Sequence, residues 1–168
     1  MDIVVFPDHR LIWQTVTYRC AIGRGGVIDN KREGDGGTPA GRYPLRRVFY
    51  RPDRVRGVET GLPVEAIGRD DGWCDDPARP EYNTRVQLPF PGGHETMWRD
   101  DHLYDIVVEV GYNDDPPVAG RGSAIFMHVA RPDYAATEGC VALSPDDLVA
   151  VLATCTPATW LNVSLLEA

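Results

Sequence analysis

The chain has no basic excess, no long apolar run and no paired cysteines. Its 168 residues hold 17 Lys and Arg against 25 Asp and Glu, a formal net charge of -8. A nucleic-acid binder needs a basic face to displace counterions from phosphates. A protein held to anionic lipid needs a polybasic patch. The charge balance argues against both. No stretch approaches the ~20 apolar residues that cross a bilayer as a helix. Met1-Asp2-Ile3-Val4-Val5-Phe6-Pro7 has an acid where a secretion signal carries cations, and its apolar run is short. The expectation is a cytoplasmic protein without an integral membrane segment; a true start further upstream would make it periplasmic. Cys20, Cys74, Cys140 and Cys155 lie far apart and form no C-x-x-C pair. That argues against a disulfide framework or a zinc ribbon. The glycine-rich stretch 29–41 lacks the Gly-Lys-[Ser/Thr] ending and the following helix of a phosphate-binding loop. It reads as a connecting loop.

What is present is mostly strand. Hydrophobic residues make up 43% of the chain, enough for a sizeable core. No linker or repeat divides it, so residues 1–168 read as one domain. Ile3 to Phe6 and Leu11 to Tyr18 read as strands, the second apolar on both faces and therefore central. Arg42 to Tyr50, Val86 to Leu88, Tyr104 to Tyr112, Ala124 to His128 and Trp160 to Leu165 read as further strands. His94 to Arg99 reads as one or two helical turns. One good helix opens at Ser144-Pro145-Asp146-Asp147. Ser caps, Pro fits the first helical position, and two acids face the positive end of the dipole. Leu148, Val149, Val151 and Leu152 would form its apolar face. Residues 51–104 are long and irregular, the pattern of a functional cover. The expected fold is mainly β, a sandwich or twisted-sheet arrangement, with Cys140 at an edge near the helix.

The chemistry concentrates between Met127 and Leu143. His128 ends an apolar run. After a short loop come Thr137-Glu138-Gly139-Cys140 and a second apolar run. A cysteine nucleophile needs a base for its proton and backbone N–H groups for the charge that develops on the attacked carbonyl. His128 supplies a base and Cys140 the sulfur. Gly139 allows close approach of the backbone, and the N–H groups of Cys140 and Gly139 are the candidate oxyanion donors. Arg131 has the two-pronged guanidinium that pairs with a carboxylate. His94 and His102 flank Trp98, Arg99 and Asp101, and read as substrate contacts on the cover or as exposed loop residues. Tyr82, Trp98 and Tyr104 fit packing or binding equally. Cys20, Cys74 and Cys155 have no comparable surroundings.

The stretch from His128 to Cys140 resembles the active-site signature of the L,D-transpeptidase (YkuD) family, a His, a short loop and [ST]-x-G-C. Gly37-Thr38-Pro39-Ala40-Gly41-Arg42-Tyr43 resembles a second, T-P-x-G-x-[FY] motif of that family. The resemblance implies a β fold with Cys140 as nucleophile, His128 as base and a backbone carbonyl orienting the imidazole. It makes Thr137 a substrate-binding residue of the motif, and Lys31 and Thr38 rim residues. It implies no cofactor. The implied partner is the stem peptide of peptidoglycan, or a muropeptide, cut before its terminal D-alanine. An amine acceptor would make the enzyme an L,D-transpeptidase; water would make it an L,D-carboxypeptidase. Two features depart from the pattern: Ala142 stands where many members carry an arginine, and the interval between His128 and Thr137 is short. Two other readings compete. One is a metal-dependent hydrolase with His94, His128 and Cys140 as ligands. The other is a binding module with an incidental cysteine.

Overall fold

A computed structural model describes residues 1–167. The elements in chain order are β1 (Asp2–Val5), β2 (Arg10–Trp13), β3 (Val16–Arg19), β4 (Val27–Ile28), β5 (Thr38–Pro39), β6 (Gly41–Tyr50) and β7 (Val64–Ala66). They continue with β8 (Asp71–Cys74), β9 (Arg85–Gln87), β10 (His94–Thr96), β11 (Ile106–Val110), β12 (Phe126–Val129), β13 (Val141–Leu143), α1 (Pro145–Leu152) and β14 (Trp160–Val163). The fold is mainly β, as expected.

Most strands join one twisted sheet in the order β13-β12-β11-β6-β14-β1-β2-β3, with β7 also on β6. The ten-residue β6 holds two halves together. Gly41 to Pro44 pairs with β14, and Leu45 to Tyr50 pairs with β11. In the middle of the sheet β1 runs parallel to β14, matching Asp2 to Trp160 and Val5 to Val163.

Alternation along the strands separates two cores. Val48, Ile106, Val108, Met127, Val129, Val141 and Leu143 pack with Leu148, Val151 and Leu152 of α1. Phe49, Val107 and Phe126, one residue out of step, pack with Trp73, Met97, Tyr104 and Cys140 in a second cluster. A period of two sends neighbours to opposite faces, so the chain builds one core with the helix and another with the cover. Cys140 thus belongs to the face away from α1, although β13 is the edge strand beside it.

The cover is more regular than its sequence suggests. β10, β8 and β9 form their own three-stranded antiparallel sheet. Trp73 on β8 sets its ring edge-to-face on Phe126 of β12, centroids 5.1 Å apart. Asn83 ties this sheet down. Its amide nitrogen donates to the carbonyls of Tyr112 (3.1 Å) and Asn113 (2.8 Å). Its amide oxygen accepts from Trp73 Nε1 and the Ala124 N–H, both at 3.0 Å.

Three local expectations are corrected. Leu11 to Tyr18 is not one central strand: the chain turns at Gln14 and Thr15, Gln14 takes φ 55°, and β2 folds back on β3. His94 to Arg99 is not helical, because His94, Glu95 and Thr96 pair with Cys74, Trp73 and Gly72 of β8. In α1, Ser144 Oγ accepts from the Asp147 N–H as expected, but Val149 is 43% exposed. A residue one step from Leu148 is rotated about 100° round the helix, off the stripe made by Leu148, Val151 and Leu152.

Candidate active site

His128 is the third residue of β12, a strand buried along its whole length. It shares its face with Phe126 and looks toward the cover. β13 runs parallel to β12 and pairs Ala142 with His128. Two residues back, on the same face, stands Cys140. Strand alternation therefore brings the sulfur and the imidazole to one side of two neighbouring strands. Both line a cleft of about 200 Å³ together with Glu95, Arg99, Tyr104 and Arg131.

The imidazole is 5% exposed. Its Nδ1 lies 2.9 Å from the Val129 carbonyl oxygen. A carbonyl only accepts, so Nδ1 carries the hydrogen and Nε2 keeps the lone pair of the neutral ring. Burial pushes the ring down to about 4; the Val129 carbonyl opposes this, and Arg99 adds to it. Tyr104 packs against the ring with centroids 5.4 Å apart.

Cys140 is 8% exposed. Its Sγ–H donates to the Ala124 carbonyl at 3.2 Å, and the Phe126 N–H reaches the sulfur at 3.4 Å. Burial pushes the thiol up to about 12, with Glu95 adding to the rise and the Phe126 N–H opposing it. The resting pair is a neutral thiol beside a neutral imidazole. Ala124, whose carbonyl holds the thiol, adopts φ 52°, and its own N–H is held by Asn83.

The loop before the cysteine is tightly braced. Thr137 Oγ1 donates to the Cys140 carbonyl (2.6 Å) and accepts from the Gly139 N–H (3.1 Å). The Gly139 N–H is thus already engaged, contrary to the expectation that it serves as an oxyanion donor. The Cys140 N–H has no hydrogen-bond partner among the described residues and stays available. Gly139 itself has φ 136°, and a Cβ there would stand 2.8 Å from the Gly37 carbonyl oxygen. The Gly37-Thr38 motif therefore packs directly behind the cysteine loop. Thr38 is fully buried and accepts the Gly23 N–H at 2.8 Å. Lys31, 6% exposed, pairs with Asp35 at 2.5 Å. Both belong to the support of the site rather than to its rim.

The remaining candidates divide. Arg99 lines the cleft, but both its prongs are taken by Asp101, at 2.9 and 2.7 Å. Arg131 lines it, is exposed, and has no ion-pair partner among the described residues. Tyr104 lines it and donates weakly to Glu95. Trp98 lies outside the lining, with the guanidinium groups of Arg51 (3.9 Å) and Arg69 (4.9 Å) on its ring. His94 is exposed and bonded to the Gly92 carbonyl at 2.9 Å, outside the cleft that holds His128 and Cys140. His94, His128 and Cys140 are therefore not assembled as a ligand set. His102 pairs with Asp105 at 2.7 Å, and Tyr82 is buried against Glu33. Glu95 is a cleft residue that sequence reasoning missed, as it did Leu103, Ala135 and Ala136. Strand alternation would have found Glu95, because it opposes the exposed His94 and Thr96.

Two solved structures share the fold, both of the helical cell shape determining protein Pgp2 from Campylobacter jejuni. The first is 16% identical with a TM-score of 0.51, covering 99% of this chain and 48% of that one. The second, a point mutant of the same protein, is 15% identical with a TM-score of 0.50, covering 99% and 47%. The chain thus spans about half the length of either. No curated protein matches the sequence. The sequence does match the profile of the YkuD L,D-transpeptidase catalytic domain over residues 2–163, nearly its whole length, and the chain belongs to that family.

Proposed function

We propose that the protein is a cysteine acyl-transfer enzyme acting on the stem peptide of peptidoglycan at the bond before the terminal D-alanine. The observation that carries this reading is the shared cleft of Cys140 and His128, with Nδ1 tied to the Val129 carbonyl and the Nε2 lone pair left free. The family supplies the substrate class. The fold neighbour from Campylobacter, named for determining helical cell shape, agrees with a role at the wall.

The thiol leaves the Ala124 carbonyl and gives its proton to His128 Nε2. The thiolate attacks the carbonyl carbon of the third stem residue, and the Cys140 N–H donates to the oxygen that becomes negative. As the tetrahedral species collapses, the C–N bond breaks and the imidazolium returns its proton to the departing D-alanine amine. A thioester on Cys140 remains. An acceptor amine or water then attacks it, His128 takes the acceptor's proton, and the sulfur leaves and is reprotonated. The amine gives a cross-link; water gives a shortened stem. Because the resting pair is neutral, the ion pair forms only with a carbonyl in place.

Incubation with tetrapeptide muropeptides, followed by product masses, tests the reading and separates the two acceptors. Release of D-alanine with a tripeptide product marks hydrolysis, and a product of two joined stems marks transfer. No D-alanine release from any muropeptide overturns the reading. A carbapenem, whose strained amide acylates the same sulfur, should add to the wild type and leave Cys140→Ala unmodified. An adduct on the variant places the nucleophile elsewhere.

A further inference from the structure

Glu95 stands out because its surroundings do not satisfy it. It reaches the cleft from β10, part of the cover sheet, and joins His128 and Cys140 in the lining. Its hydrogen bonds come from one group, the Tyr104 hydroxyl, at 3.3 and 3.4 Å to its two oxygens. A carboxylate has about four lone-pair sites and prefers charge-assisted partners near 2.8 Å. Arg99 lies in the same lining, but Asp101 occupies its guanidinium. Among the described residues no cation makes an ion pair with Glu95. The other carboxylate of the lining, Glu138, is 80% exposed and paired with Arg24, so it makes no comparable demand. Asp75 and Glu33 add negative charge around it, opposed by the positive charge of Arg99, which is already paired with Asp101.

We propose that Glu95 is a specificity residue that receives a primary ammonium group of the peptide bound in the cleft. The identity of that peptide as an acyl donor rests on the function proposed above. An ammonium has three donors and one positive charge, which match the open acceptor sites of this carboxylate and the negative groups around it. A single carboxylate with a phenol is too poor a set for a divalent cation. Burial pushes Glu95 up to about 7, so an empty cleft holds it near half-protonated in neutral solution, and a bound ammonium fixes it in the ionised form. The same ammonium offsets the negative neighbour that disfavours the Cys140 thiolate. Recognition from the cover and activation on the main sheet are in this way coupled.

Binding to the Cys140→Ala protein, which holds peptide without turning it over, tests the inference by calorimetry. One tetrapeptide carries a free side-chain amine at its third residue; the other has that amine acetylated. The free amine should improve Kd by about tenfold or more, the range of a hydrogen bond to a charged group. Adding Glu95→Gln should remove that preference, and Glu95→Asp should retain part of it. Equal affinity for the two peptides, no binding of either, or a preference that survives Glu95→Gln overturns the proposal. Failure of the acyl-transfer reading is seen separately, as a wild-type protein that binds the amine-bearing peptide yet releases no D-alanine.

Discussion

Glu95 and His128 should titrate against each other in the stability of the fold. His128 is pushed from 6.5 to about 4 by burial, so the unfolded chain takes up that proton more readily than the folded one. Its contribution is present above about 6.5 and is lost as pH falls through about 4. Glu95 is pushed the other way, from 4.5 to about 7, first by burial and then by Asp75. Its contribution is present below about 4.5 and is lost as pH rises through about 7. At about 1.4 kcal/mol per pH unit, each amounts to at most about 3.5 kcal/mol. Between about 4.5 and 6.5 the two slopes cancel. Glu95→Gln removes one of them. The variant should gain on the wild type by about 1.4 kcal/mol per pH unit as pH rises through that window, levelling near 7. Asp2, Asp35, Asp53, Asp76 and Asp101 are held below 3.8 by their partners and act further down the scale. Urea unfolding of both proteins from about pH 4.5 to about 7.5 measures the difference, in which groups remote from Glu95 drop out. A difference that stays constant with pH refutes the reasoning.

Three further outcomes are expected. Cys140, held up to about 12, should react with iodoacetamide about a thousandfold more slowly at neutral pH than an ordinary thiol, and faster at every step above it; a rate that plateaus between about pH 6 and 8 would mean a preformed thiolate–imidazolium pair. Asn83→Ala leaves the Trp73 Nε1 and three backbone groups without their partner, which should cost about 3 kcal/mol or more in urea unfolding; a loss under about 1 kcal/mol would show that the cover is held by other contacts. Gly139→Ala adds left-handed strain of about 1–3 kcal/mol and a backbone collision at the Gly37 carbonyl; unchanged thermal stability would show that the loop has a second, relaxed course.

The parts of the fold legible in the sequence are those set by short-range chemistry. Ser144-Pro145-Asp146-Asp147 carries its own helix start, and the buried runs at β11 and β12 announce core strands through β-branched and aromatic residues. The pairing of His128 with Cys140 was legible through the family motif, and strand alternation gives its physical reason. What escaped is what neighbours decide. The turn at Gln14 and Thr15 has no glycine, proline or asparagine, and its left-handed Gln14 is imposed by the pairing of β2 with β3. His94 to Thr96 is too short to show a period, and β8 makes it a strand. Reading that segment as helix also hid Glu95. The arrest of the Gly139 N–H by Thr137 depends on loop torsions that residue types alone do not set.

The parallel match of β1 with β14 ties the first residues of the domain to some of its last, in the interior of the sheet rather than at a border. A ribosome delivering this chain leaves Asp2 to Val5 without one of their two neighbours until position 163 has emerged. Until then the half bearing His128 and Cys140 and the half bearing the hairpin of β2 and β3 lack the strand that joins them, and folding waits on a contact between residues nearly the whole chain apart.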